Sequence, residues 1–401
     1  MSKLIVRGPL LTHSGYGYHS RQFVHWARDM QNKGHFDQVT FQVLNWGITP
    51  WMLNSEDTYD DSIIRYIMSN SESGKMNYGD ASIQIQLPHE WDPNIAKFNI
   101  GVTAGVETDR VSPKWVQDCF KMDRVIVPSK FSKQSFLKSA ANDYERKRLK
   151  KRITVVNEAY HPSLLSSEKS SLSLSKLPEK NFLLFGQITG TDASNDRKNT
   201  FNAIKWFIEE WGNDPNVGLV IKTNSGKNTT IDRKITYGKL DSCVREVTKL
   251  CDKEETPRIF LMHGAMTEEE KRDLYTSPKI SALLMPTRGE GYGLPVLEAA
   301  LLGLPIIAPA HSGYMDFAKS LIDPIEYCMT PVPQNRIDNL IFVQGAHWAE
   351  SSESSCKKKM HDAISRTNNR SINDTIKKNL SVDAVVENLS KKYTKKGELL
   401  R

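Results

Sequence analysis

The sequence predicts an α/β protein made of two Rossmann-like domains, each a parallel sheet flanked by helices. Three observations lead there. Apolar runs of strand length alternate with stretches of helical length from residue 4 to residue 156, and the alternation starts afresh at residue 182. Between the two series lies the tract 163–176, serine-rich and without a period, which reads as a linker. A chain of 401 residues also exceeds what one ordinary core needs.

In the first series a strand over 4–6 enters a loop over 8–20 containing S-G-Y-G-Y-H-S. Gly15-x-Gly17-x-x-Ser20 is a degenerate dinucleotide fingerprint and equally a tight strand-to-helix turn capped by Ser20. A helix over 22–29 and a strand over 39–44 complete a first β-α-β unit, and 46–80 reads as irregular and helical material. Strands follow over 83–87 and 98–104, then a helix over 113–120, a strand over 124–127, a helix capped by Ser129, and a strand over 153–156. His89-Glu90 has no second histidine at zinc-protease spacing, so no metal is expected there. Residues 145–152, ERKRLKKR, place six basic side chains in eight positions. That suits either a solvated helix face or a phosphate-tracking patch.

The second series runs strand 182–185, helix 200–211, strand 217–223, helix 243–251, strand 259–263, helix 268–275 and strand 280–285. A short buried helix over 296–302 follows, stopped by Gly303 with Pro305 beyond, then a strand over 306–308. Residues 351–378 read as charged surface helices. Val382, Val385, Leu389 and Tyr393 mark an amphipathic helix over 382–393.

Composition bounds the partners. A net charge of +7 suits an anionic ligand, a membrane surface or nucleic acid. The five cysteines are scattered without a C-x-x-C pair, which argues for reduced thiols and against structural zinc. No run approaches a membrane span and the start lacks a signal-peptide pattern, so a cytoplasmic location is expected.

The most specific information lies in residues 288–309, RGEGYGLPVLEAALLGLPIIAP. Glu290 and Glu298 bracket the turn Gly291-Tyr292-Gly293-Leu294-Pro295 at a strand's carboxyl end, where open parallel sheets bind ligands. The glycines permit close backbone approach, and Pro295 suits a first helical turn. Acids at such a place serve sugar hydroxyls better than phosphate. The plainer reading is a helix start whose acids complement its dipole.

E-G-Y-G-L-P-x-x-E-A-x-x-x-G-x-P resembles the E-x7-E signature of family 4, the retaining glycosyltransferases of GT-B fold. The block from Glu107 through V-P-S-x-F (127–131) resembles the late N-terminal-domain segment of those enzymes. Gly186-Gln187 to Arg197-Lys198-Asn199 resembles their phosphate-binding segment, with a longer loop, T-G-T-D-A-S-N-D, and Gln187 where the family has Arg.

The resemblance implies a GT-B architecture of two domains facing a cleft. An acceptor domain (1–162), the linker, a nucleotide-sugar domain (177–378) and a helix and tail (379–401) crossing back to the first domain would make up the chain. It also implies a metal-independent reaction with a nucleotide-diphosphate sugar as donor and no cofactor. Arg197 and Lys198, with unpaired helix-start amides, would neutralise the diphosphate. Glu290 and the amides of Gly291, Tyr292, Gly293 and Leu294 would hold the sugar, and Glu298 the ribose. Lys222 and His263 would edge the base, Gly15 and Gly17 would face the cleft, and Glu107 is a candidate to touch substrate. The departing phosphate itself takes the acceptor's proton in the family's favoured mechanism.

The acceptor stays open between a saccharide or lipid-linked glycan, with peripheral membrane contact, and a hydroxylated base in DNA reached through the basic run 146–152. An epimerase of the same fold and a non-catalytic sugar binder are the rival readings.

Overall fold

The computed structural model describes residues 1–401 except 48, 50, 52, 54–57, 73–77, 188–192, 254–256, 368, 396–397 and 400–401. It divides into two compact units. The first comprises 1–162, 339–343 and 378–401; the second comprises 163–338 and 344–377. Among the described residues no helix is long and apolar enough to cross a membrane.

In the first unit β1 (Lys3–Gly8), α1 (Gly15–Asn32), β2 (Gln38–Val43), α2 (Tyr59–Ser69), β3 (Gly79–Ile85) and β4 (Ala96–Val102) come first. Then follow α3 (Pro113–Lys121), β5 (Arg124–Val127), α4 (Lys130–Lys138), α5 (Asp143–Arg152) and β6 (Ile153–Val155). Their six strands form one sheet in the order β2-β1-β3-β4-β5-β6, parallel throughout. Both faces of a parallel sheet are covered, so its strands are near-continuous apolar runs, as Leu4, Ile5 and Val6 show by being wholly buried.

Two local expectations need correction. The first helix starts at Gly15, not after Ser20. Ser14 is the cap, its hydroxyl accepting from the Gly17 amide, and Ser20 sits inside the helix donating to the Tyr16 carbonyl. Gly17 is glycine for a steric reason: a Cβ there would lie 1.8 Å from the Thr12 carbonyl oxygen. Ser129, by contrast, caps α4 as the sequence suggests, accepting from Ser132.

In the second unit the elements are β7 (Lys180–Phe185), α6 (Thr200–Trp211), β8 (Val217–Lys222), α7 (Thr230–Leu250), β9 (Ile259–Met262), α8 (Glu268–Thr276) and β10 (Ile280–Leu284). After them come α9 (Leu294–Leu301), β11 (Ile306–Pro309), α10 (Met315–Ala318), β12 (Ile322–Ile325), β13 (Tyr327–Pro331), β14 (His347–Ser351), α11 (Glu353–Ser365) and α12 (Asp374–Asn379). The sheet order β12-β11-β10-β7-β8-β9 is that of a doubly wound nucleotide-binding fold, with its switch point between β7 and β10. The antiparallel hairpin β13–β14 is an addition the sequence did not reveal. The helix expected over 243–251 is only the end of α7, which begins at Thr230 under the cap of Thr229. Nor is 351–378 merely surface, since Cys356, Met360 and Ala363 of α11 join the core.

The last helix, α13 (Val382–Tyr393), belongs to the first unit. Its buried Val382, Val385, Leu389 and Tyr393 enter the core that holds Trp26 of α1, and the Trp26 indole Nε1 donates to the Ser390 hydroxyl at 3.2 Å. Buried aromatic packing of this kind is worth several kcal/mol in aggregate.

Behind α1 the first unit buries an acid. Glu158 follows β6 at 4% exposure, and burial pushes its carboxyl up to about 8. His19, 3.8 Å from it, is pulled down to about 3 by the same cause.

Two outcomes follow for stability. Gly17→Ala should destabilise the first unit by about 1–3 kcal/mol in denaturant melts, because the new methyl must displace backbone. Glu158 binds its proton more tightly folded than unfolded, so its contribution is full below the unfolded value and fades as pH rises towards 8. The depressed His19 gains stability in the opposite sense up to its unfolded value of 6.5, so urea midpoints should fall between about pH 6.5 and 8. Glu158→Gln should remove much of that fall, of the order of 2 kcal/mol.

Candidate active site

The switch point of the second sheet places two loops side by side. One follows β7 and carries Arg197 and Lys198; the other follows β10 and carries Glu290. Lys198 Nζ lies 2.6 Å from Glu290 Oε1, Arg197 Nη1 lies 3.4 Å from the same oxygen, and the Thr287 hydroxyl donates to it at 3.0 Å. Glu290 is 8% exposed. Burial alone would raise its carboxyl, but Lys198 and Arg197 outweigh burial and hold it below the usual carboxylate range. It is an ionised acid inside a cradle of cations.

The backbone around Glu290 is equally fixed. Its amide donates to Ser312 Oγ at 3.1 Å, and its carbonyl accepts from the Gly313 amide at 2.9 Å. Gly313 runs so close over the turn that a Cβ would sit 2.0 Å from the Gly291 carbonyl. Gly293 adopts φ +99° as the cap of α9, with Pro295 in the first turn and Tyr292 buried. The residues expected to present amides to a ligand are thus held from behind by the loop 311–314.

Glu298 sits one helical turn further, 8% exposed, in different company. Lys271 Nζ from α8 lies 2.8 Å from its Oε1, and the buried Tyr275 hydroxyl donates to Oε2 at 2.8 Å. Lys271 also pairs with Glu268 at 2.7 Å. Burial raises the Glu298 carboxyl, and the Lys271 charge, shared with Glu268, does not bring it back. The two acids of the block are therefore pushed in opposite directions by their surroundings.

Lys222 closes β8 and points its ammonium at the Gly264 carbonyl. Burial, helped by Lys271, lowers it to about 8. His263 precedes Gly264, whose φ is +93°, and both of its ring nitrogens are buried with no hydrogen-bond partner among the described residues. Lys222 ends a strand of the sheet, and His263, Glu290, Glu298, Arg197 and Lys198 lie beyond the carboxyl ends of strands of the same sheet. Gly15, Gly17 and Glu107 belong to the first unit.

The expected helix-start amides are not all available to an anion. Asp196 takes the Lys198 amide on Oδ1 and the Phe201 amide on Oδ2, each at 3.0 Å, so its carboxylate already caps α6. Residues 189–192 of the long preceding loop lie outside the described residues. The sequence reading missed Lys271 and Tyr275, although their i, i+4 spacing on α8 put them on one face. It also missed Thr287, Arg288 and Glu350.

Residues 220–395 match a model of family 4 glycosyltransferases in conflict systems. The lipopolysaccharide outer core galactosyltransferase WaaB superposes with a TM-score of 0.55 at 11% identity, covering 97% of this chain and 98% of that one. HepE of Anabaena, in complex with UDP and glucose, superposes at 0.56 with 10% identity, covering 98% and 99%. No curated protein matches the sequence. The fold is GT-B. That is the architecture implied by the resemblance of the 288–309 block.

The second acid gives the test. Tyr275→Phe leaves Glu298 buried with one partner fewer and should cost about 1–3 kcal/mol of the second unit's stability. Lys271→Ala removes its only nearby cation, leaving it the Tyr275 hydroxyl alone among the partners described, and should cost about 3–5 kcal/mol. Chemical denaturation of both variants checks the order.

Proposed function

We propose that this chain is a glycosyltransferase, retaining and metal-independent. It would move a sugar from a nucleotide-diphosphate sugar to a hydroxyl of a saccharide or lipid-linked acceptor. The observation that carries the reading is the convergence of Arg197 and Lys198 on buried Glu290 at the switch point.

Breaking the anomeric C–O bond builds negative charge on the diphosphate and positive charge on the sugar. Lys198 and Arg197 supply fixed cations for the first, pre-paid in position because Glu290 already holds them. Glu290 offers its carboxylate to the sugar's hydroxyls on the other side, together with amides of the turn Gly291, Tyr292, Gly293 and Leu294. Glu298, the less acidic of the two, is given the ribose hydroxyls, and Lys222 and His263 the neighbourhood of the base. An oxygen of the departing phosphate accepts the acceptor's proton on the same face, so that configuration is retained without a separate base. Glu107, Gly15 and Gly17 are proposed as substrate-side contributors from the first unit.

A second acceptor reading, a hydroxylated base in DNA, is favoured by one feature. Helix α5 exposes Lys147, Arg148, Lys150 and Lys151, while its one aliphatic side chain, Leu149, is wholly buried. A helix lying in a bilayer needs an apolar face, and this one turns its leucine inward, which suits a polyanion better.

A panel of UDP- and GDP-sugars, with mass spectrometry of products on offered acceptors, tests the reading. At least one donor should be consumed or bound. Lys198→Ala should lower kcat/KM about 100-fold or more, and EDTA should leave the rate unchanged. If no donor binds and Glu298→Ala changes nothing, the reading is wrong. Salt-dependent retention of duplex DNA, lost on reversing the four α5 charges, would favour the second acceptor; no retention removes it.

A further inference from the structure

Arg288 is buried at 3% exposure, two residues before Glu290, and no substrate can reach it. Every direction of its guanidinium is engaged. Nε and Nη2 form a bidentate pair with Glu350 of β14 at 2.6 and 3.0 Å. Nη1 donates to the carbonyls of Ala193 and Asp196, both at 2.6 Å, and reaches that of Ser194 at 3.4 Å. Its plane lies over Trp348, 5.2 Å from the ring centre.

The backbone repeats the pattern. The Arg288 amide donates to the Arg197 carbonyl at 2.9 Å, and its own carbonyl accepts from the Ala349 amide at 2.9 Å. Asn199 Nδ2 donates to the Pro286 carbonyl at 3.1 Å. One residue therefore ties together three segments far apart in sequence: the end of the long loop after β7, the turn before Glu290, and the hairpin β13–β14.

We propose that Arg288, fixed by Glu350 and Trp348, is a positioning residue that holds Arg197 and Lys198 in register with the donor's diphosphate. The inference rests on the diphosphate role proposed above for those two cations. The loop carrying them is long, and Arg288 Nη1 donates to carbonyls at its end, of which that of Asp196 also accepts from the Asn199 amide at 2.9 Å. A fork of N–H groups satisfies them and a carboxylate together, which a lysine ammonium cannot do with the same planarity. Acting through Arg197 and Lys198, Arg288 affects only what those two touch, so removing Lys198 removes part of its effect.

The experiment is a thermodynamic cycle on the full chain. UDP, GDP and the corresponding nucleosides are titrated calorimetrically against wild type, Arg288→Lys, Lys198→Ala and the double variant. Arg288→Lys should weaken the bound nucleoside diphosphate roughly tenfold or more while leaving the nucleoside within about twofold. In the Lys198→Ala background the same change should add less than about threefold. Glu350→Gln, which keeps shape and loses charge, should show the same selectivity in milder form and serves if Arg288→Lys does not fold. Equal losses for nucleoside and diphosphate, or fully additive losses in the double variant, overturn the positioning role while leaving the transferase reading intact. Wild type that binds neither diphosphate overturns both.

Discussion

A carboxylate kept charged at 8% exposure has to be neutralised where it stands, and in this protein that carboxylate is Glu290. Its counter-charges are Lys198 and Arg197, which come from a different strand end about 90 residues earlier in the chain. The requirement therefore fixes more than one contact. It dictates that β7 and β10 be neighbours, that the loop after β7 end at one place, and that the turn 286–290 keep its shape. The sheet order satisfies the first condition and the polar stitching of Asp196, Asn199 and Thr287 the others. Most of the polar structure around the switch point can be read as the consequence of one ionised acid out of water.

The second acid shows how differently the same residue type behaves eight positions on. Glu298 faces a lysine whose charge is divided with Glu268, and a tyrosine that hydrogen-bonds without adding charge. Its environment favours the protonated form more than that of Glu290 does. Spacing alone makes the two acids look equivalent. Their neighbours, contributed by α6 and its preceding loop in one case and α8 in the other, separate them.

The fold class, most strands and several helices were legible in the sequence because their signals are local. Residues 200–211 and 382–393 show apolar periodicity with clear stops, and both helices appear with those limits. The failures are equally physical. Gly15 and Gly17 read as a turn ahead of a helix capped by Ser20, yet both lie in the first turn of α1, and at Gly17 a Cβ would meet the Thr12 carbonyl. In α7 a polar first half and Gly238 hid the helix before residue 243. The hairpin β13–β14 escaped because Tyr327 to Met329 are all exposed and give no alternation. At the site, the block 288–309 named its own acids, but Glu350 lies 62 residues beyond Arg288, and no periodicity links them. Asp196 was invisible as a cap because it precedes the helix by several residues, behind an Asn199 with φ +57°.

The first unit is not a continuous stretch of chain. Residues 1–162 fold with α13, which arrives only after the whole second unit has been made. During synthesis the amino-terminal sheet must wait for Leu389 and Tyr393 to close over Trp26, leaving that groove open to chaperones or to wrong partners. The same discontinuity makes the protein a natural candidate for splitting. A fragment ending near residue 377, combined with a short peptide bearing α13, would be a reassembly pair, with Trp26, one of eight tryptophans, at the restored contact.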